Sequence, residues 1–168
     1  SSTSSYGVTN QITALDVSNN TALTYLSCGY NQLDTLDVSN NTALTTLYCY
    51  RNQLTSLDVS NNTALINLYS YGSSSSTSSD GETNQITALD VSNNTALESL
   101  NCGSNQLTSL DVSNNTALTY LTCGDNALDS LDVTNNTALL RLHCSSNELT
   151  VLDVTNNTSL NTLVAAYN

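Results

Sequence analysis

The chain contains no proline, tryptophan, phenylalanine, methionine or lysine. Without lysine, its only strong bases are Arg51 and Arg141, set against 14 acids for a formal charge of -12. Such a surface repels phosphate backbones and anionic membranes, which excludes nucleic acid as a partner. Long apolar runs are also missing: none approaches the roughly 18 residues of a membrane-spanning helix, so membrane insertion is not expected. Ser1 to Gly7 lacks both a basic and an apolar region. This reads as a mature segment, any export signal having been removed or lying upstream. Without proline, the bends rely on Asn, Ser, Thr and Gly.

What the chain does have is a repeat. The stretch NQLTSLDVSNNTALTYLTCGD from Asn105 to Asp125 recurs with small changes from Asn10, Asn31, Asn52, Asn84, Asn126 and Asn147. A period of 21 residues indicates stacked units that cannot bury an apolar face alone and so build a solenoid with a continuous apolar strip. The expected layout is a Ser-rich linker at 1–9, three repeats at 10–72, a Ser-rich insert at 73–83 and four repeats at 84–168. The insert is itself a copy: SSTSSDGETNQITAL from Ser75 matches SSTSSYGVTNQITAL from Ser1, with Asp80 and Glu82 replacing Tyr6 and Val8.

Within a unit, period-two alternation predicts a strand at Thr119–Cys123, with Leu121 and Cys123 inward and Tyr120 and Thr122 outward. Asn105, stacked on Asn31, Asn52, Asn126 and Asn147, is placed for an amide ladder inside the following bend. Leu107, Leu110 and Val112 return to the core at a spacing too irregular for a helix, giving an extended or short-turn arm. Ser113 to Thr116 forms a polar corner, after which Ala117 and Leu118 re-enter the core. Five cysteines, Cys28, Cys49, Cys102, Cys123 and Cys144, share one position of the unit, held elsewhere by Ser70 and Ala165. A small packing residue explains all seven. Rung spacing brings neighbours into disulfide range, but parallel side-chain directions disfavour the bond.

On these residues the chain resembles a known family. LTYLTCGDNAL, from Leu118 to Leu128, fits the leucine-rich-repeat pattern, with Cys123 at a Leu position. In a 21-residue unit this is similar to the cysteine-ladder leucine-rich repeats of certain internalins and secreted bacterial surface proteins. The resemblance implies a β-rich, curved solenoid with a parallel sheet on its concave face, a recognition or adhesion role, and scaffold duty for the Leu, Cys and Asn columns.

Three columns are candidates for function. Asn19, Asn40, Asn61, Asn93, Asn114, Asn135 and Asn156 each precede Asn-Thr, the N-glycosylation acceptor pattern of an exported protein. The same triplet is also turn chemistry copied seven times. Asp16, Asp37, Asp58, Asp90, Asp111, Asp132 and Asp153 form a stacked carboxylate column that must either accept hydrogen bonds from the corner or share cations such as Ca2+. Tyr25, Tyr48, Tyr50, Tyr69 and Tyr71 face outward from the strands, Tyr48 over Tyr69 and Tyr50 over Tyr71. They could bind carbohydrate or a surface protein, or simply stack across strands. No catalytic set, cofactor site or metal site is expected, since the single His143 points away from the inward Cys144.

Neither end of the array has a distinct cap. LVAAYN from Leu163 followed by SSTSSYGVTNQI from Ser1 mimics the internal junction at Leu68 to Ile86. The expectation is a secreted or cell-surface solenoid that joins its own copies head to tail into a filament, glycosylated along one row. The alternative is an adhesin-like module binding through its tyrosines.

Overall fold

The structure, a computed structural model, describes residues 12–73 and 83–168. The linker at 1–9 and most of the insert lie outside the described residues. Seven strands, β1 (Tyr25–Ser27), β2 (Thr46–Tyr48), β3 (Asn67–Tyr69), β4 (Ser99–Asn101), β5 (Tyr120–Thr122), β6 (Arg141–His143) and β7 (Thr162–Val164), pair in chain order into one parallel sheet. Each central leucine meets the next, Leu100 with Leu121 and Leu121 with Leu142. The strands, three residues each, are shorter than the alternation suggested. Pairing nevertheless runs on past each strand, with Cys123 N bonding His143 O at 2.9 Å.

The core is a strip, as the repeat requires. Leu107, Leu110, Val112, Leu118, Leu121 and Cys123 are all buried, and so are their counterparts through the middle rungs. The arm contains no helix among the described residues. It links to the next arm by one backbone bond per rung, such as Ala127 N to Leu107 O at 2.9 Å. Two successive turns make the corner, closed by Asn115 N to Val112 O at 2.9 Å and Leu118 N to Asn115 O at 3.1 Å. The alanine before the returning leucine differs from expectation. Ala117 is only half-buried and Ala22 and Ala96 are exposed, because the second turn lifts that residue outward and leaves Leu118 alone to re-enter.

The amide ladder forms. Asn52 Nδ2 donates to Cys28 O at 3.0 Å and Cys49 O at 3.1 Å, and its Oδ1 accepts from Leu33 N at 3.1 Å. Asn84 takes the same place despite the insert before it, donating to Cys49 O and Ser70 O, both at 3.0 Å. The sheet therefore continues from β3 to β4 without a gap. The insert leaves and returns through a narrow neck, where Ser73 N donates to Thr83 Oγ1 at 3.0 Å. Gly72 is required there, since a Cβ would collide with the carbonyl oxygen of Ser104.

Candidate functional site

Outward strand positions bring the five expected tyrosines into one cluster. Tyr48 stacks on Tyr69 at 4.7 Å and 22°, and Tyr50 on Tyr71 at 4.7 Å and 5°. Tyr25 meets Tyr48 edge-on at 5.7 Å, and the Tyr69 hydroxyl bonds Ser99 Oγ at 3.0 Å. Burial, first, and neighbouring phenols, second, raise the pKa of Tyr48 and Tyr71, which keeps both as protonated donors. A sixth ring, Tyr30, escaped sequence reasoning. It stands edge-on to Tyr50 at 5.3 Å and 90°, with the Arg51 guanidinium 5.2 Å over its face. Both residues occupy a left-handed position, Tyr30 at φ 56° and Arg51 at φ 50°. No sequence pattern marks that position, because its occupants are unrelated in type.

The corner row separates two asparagines that look alike in sequence. The first, from Asn19 to Asn156, is exposed in every repeat, and so is the threonine two residues on. Its Nδ2 makes only one long bond, as in Asn114 to Ser92 O at 3.4 Å. The second is buried from Asn41 to Asn157 and forms another ladder. Asn115 Nδ2, for example, donates to Val91 O at 3.0 Å and Asn94 O at 2.9 Å. Its Oδ1 has no partner, as is also true of Asn41, Asn62, Asn94, Asn136 and Asn157. This ladder was not anticipated; its signal was a column of seven asparagines following another such column.

The Asp column accepts hydrogen bonds, one of the two alternatives the sequence left open. Every member accepts from the backbone N–H two residues on, Asp111 from Ser113 at 2.9 Å, and Asp132 also from the Thr134 hydroxyl at 2.6 Å. These bonds lower all seven pKa values. The hydroxyl contributes most at Asp16, Asp37, Asp58, Asp111 and Asp132, and the N–H at Asp90 and Asp153. An open groove of about 780 Å³ runs beside Asp16, Asp37 and Asp58. No cluster of three metal-ligating side chains occurs among the described residues. The five cysteines are buried free thiols, and burial raises Cys28 to about 11 and Cys102 to about 12. His143 is exposed while Cys144 is buried. No helix among the described residues is long and apolar enough to cross a membrane.

The two ends are open and unlike. At β7, Leu163 is 46 % exposed and Val164 41 %, whereas Leu142, one rung in, is 1 % exposed. In every inner rung a pair of consecutive N–H groups donates back to one carbonyl, as Leu140 N and Arg141 N do to Thr119 O. By the same register Thr24 N, Tyr25 N and the Asn20 amide have no partner among the described residues at the first rung. At the last rung Asn161 O has no donor among the described residues, and Val154 O and Asn157 O, which accept Asn157 N and Leu160 N, lack the second, side-chain donor that Val133 O and Asn136 O receive from Asn157.

Repeats of this length, stacked as parallel strands over leucine, asparagine and cysteine columns, define a leucine-rich-repeat solenoid with a cysteine ladder. Solved structures agree. The functional domain of InlJ from Listeria monocytogenes, which includes a cysteine ladder, is 40% identical over 92% of this chain and 41% of that one, with a TM-score of 0.53. An internalin, InlF, from the same species matches at 27% identity and a TM-score of 0.82, over 95% of this chain and 46% of its own. The leucine-rich-repeat protein LIC12759 of Leptospira interrogans, 24% identical over 85% of this chain and 43% of its own with a TM-score of 0.62, supports the fold alone. The chain thus spans less than half the length of each. The LVIVD repeat family matches residues 144–168 only. No curated protein matches the sequence.

Proposed function

We propose that this is a non-enzymatic, secreted or surface-displayed interaction protein whose main partner is itself, joining head to tail into a filament with glycans along the corner row. The observation behind this reading is the complementarity of the ends. The first rung offers donors where the last offers acceptors, and the spacing on both sides is that of an internal rung. A second copy set one rung below β7 would donate its Thr24 N and Tyr25 N to Asn161 O of the first. The Asn20 amide would bond Val154 O and Asn157 O, and the exposed Leu163 would be covered. Such a head-to-tail contact does not close on itself and so grows.

Two substitutions test this at the last rung. Leu163→Lys places a charge on the core surface to be covered. Ala165→Pro removes an N–H that bonds nothing among the described residues. Each variant should remain a folded monomer by circular dichroism while the parent lengthens with concentration in electron micrographs. Fibres from Leu163→Lys at the parent's rate would overturn the proposal.

The glycan row rests on what the fold does not use. The second asparagine of each Asn-Asn-Thr is structurally needed, but the exposed threonine makes no hydrogen bond within the described chain. Turn chemistry accounts for the middle residue and leaves the acceptor asparagine and its threonine to another purpose. Intact mass of native material should exceed the polypeptide mass and fall on amidase treatment; an unshifted mass would remove the coat from the proposal but not the filament.

A second reading, an adhesin-like role for the sheet face, is favoured by the six clustered tyrosines. It separates cleanly from the first, because Tyr48→Ser with Tyr69→Ser should abolish ligand capture while fibres persist.

A further inference from the structure

The tyrosine cluster uses several of its ring faces internally. Tyr50 and Tyr71 cover each other, Tyr48 and Tyr69 do the same, and Arg51 covers Tyr30. An aromatic edge is the positive part of the ring's quadrupole and a phenol hydroxyl is a hydrogen-bond donor, so the edges and hydroxyls of this cluster favour an anion.

Arg51 sharpens that preference. In a chain of net charge -12 its guanidinium bonds no carboxylate among the described residues, and its Nε is buried without an acceptor. Its place is fixed on two sides: by the Tyr30 ring beneath it, and by the left-handed backbone at φ 50° that throws its side chain onto that ring. The sequence also makes room for the cluster. Gly29 lies under Tyr50, and a Cβ there would stand 2.7 Å from Tyr50 Cε2. An unpaired guanidinium beside phenol donors is the arrangement that recognises a carboxylate by charge-assisted hydrogen bonds.

We infer that Arg51 with Tyr30, Tyr50 and Tyr71 forms a binding site for a sugar bearing a single carboxylate, a uronic acid carried on an otherwise neutral glycan. The inference rests on the second reading above, that the sheet face is a binding surface. A densely charged polyuronate is disfavoured by the chain's own net charge. An acidic peptide is the rival source of a carboxylate. Peptide recognition calls for a pocket to hold an anchoring side chain. Besides the tyrosines, the exposed large apolar side chain at this end is the single Ile12 on the arm, and Leu140 and Val164 lie rungs away. The phenol hydroxyls of Tyr30, Tyr50 and Tyr71 suit a polyhydroxyl ligand better.

The test is a titration of the full chain with D-glucuronate, D-glucose, acetate and an N-acetylated aspartyl peptide, read by tyrosine ring signals in NMR. Glucuronate should bind more tightly than acetate or glucose by about tenfold, the scale of one charge-assisted hydrogen bond. Arg51→Gln should lose that advantage while glucose is unaffected, and Arg51→Lys should recover part of it as a point charge. Arg51→Gly, which relaxes the left-handed backbone, serves as a second loss-of-charge variant that folds at least as well. Equal binding of glucuronate and glucose, or glucuronate binding unchanged in Arg51→Gly, overturns the site. So does tighter binding of the aspartyl peptide, which would assign the carboxylate to a protein. Binding of glucose or peptide alone would leave the sheet-face reading standing without this site. Silence from all four probes would overturn both.

Discussion

Asn115 shows how much of this molecule depends on single amides. Its side chain supplies two carbonyls of the rung before it, at 3.0 and 2.9 Å, in a place where water does not reach. Asn115→Ala leaves both carbonyls short of a donor and should cost about 2–4 kcal/mol in denaturant unfolding, whereas Asn114→Ala, exposed beside it, should cost only a few tenths. A shared penalty for the two would contradict the division of labour at the corner. The left-handed positions point the other way. Ser146, at φ 55°, strains an L-residue, and Ser146→Gly should stabilise by about 1 kcal/mol in the same assay. Neither effect was legible in the sequence. Paired asparagines read as polar turn residues, because burial of the second depends on a neighbour 21 positions away. The sign of φ at Tyr30, Arg51 and Ser146 leaves no trace in residue type, and with it went Tyr30's membership of the aromatic cluster.

Elements, by contrast, were largely written in the repeat. Leucine spacing and period-two alternation sufficed for the strands, the ladder from Asn31 onward and the stacking of Tyr48 on Tyr69. Period and pattern set those contacts directly. The insert was legible only as a copy, and its connection to the sheet needed coordinates. Ladder residues Asn52 and Asn84 are 32 apart, 84 minus 52, which is 11 more than the repeat of 21. Residues 73–83 number 11, so deleting them restores the frame. Gly72 would then take the left-handed turn that Arg51 and Ser104 take elsewhere, at little cost for glycine. The deleted chain should keep its β3–β4 pairing and melt no lower than the parent. A large drop in melting temperature would mean that the insert supports the fold.

At the scale of the whole molecule, charge and burial set the response to conditions. The Asp column has folded pKa values below the unfolded one, so its contribution is complete above the unfolded value and fades as pH falls through the folded values. Stability should hold through neutral pH and decline only on strong acidification, and Asp111→Asn should reduce that acid dependence in pH-resolved melts. The thiols respond oppositely. Burial holds them protonated, so iodoacetamide should leave the native chain unlabelled near neutral pH and modify all five cysteines in denaturant. Labelling of native Cys102 would contradict the packed ladder.

The two sides of each rung are joined unequally. Along the sheet, neighbouring rungs share a succession of backbone bonds, while the arms share one, such as Glu148 N to Leu128 O at 2.8 Å. A rod built this way is stiff against sliding along its strands and compliant at its back. Bending that opens the arm side strains one backbone bond and the two bonds of a buried corner amide per rung, such as Asn115 Nδ2 to Val91 O and Asn94 O, and leaves the longer succession along the sheet intact, so the molecule flexes in a preferred plane. The exposed corner asparagines lie on the compliant half, and any bulky group attached there would limit how far the rod can close upon itself.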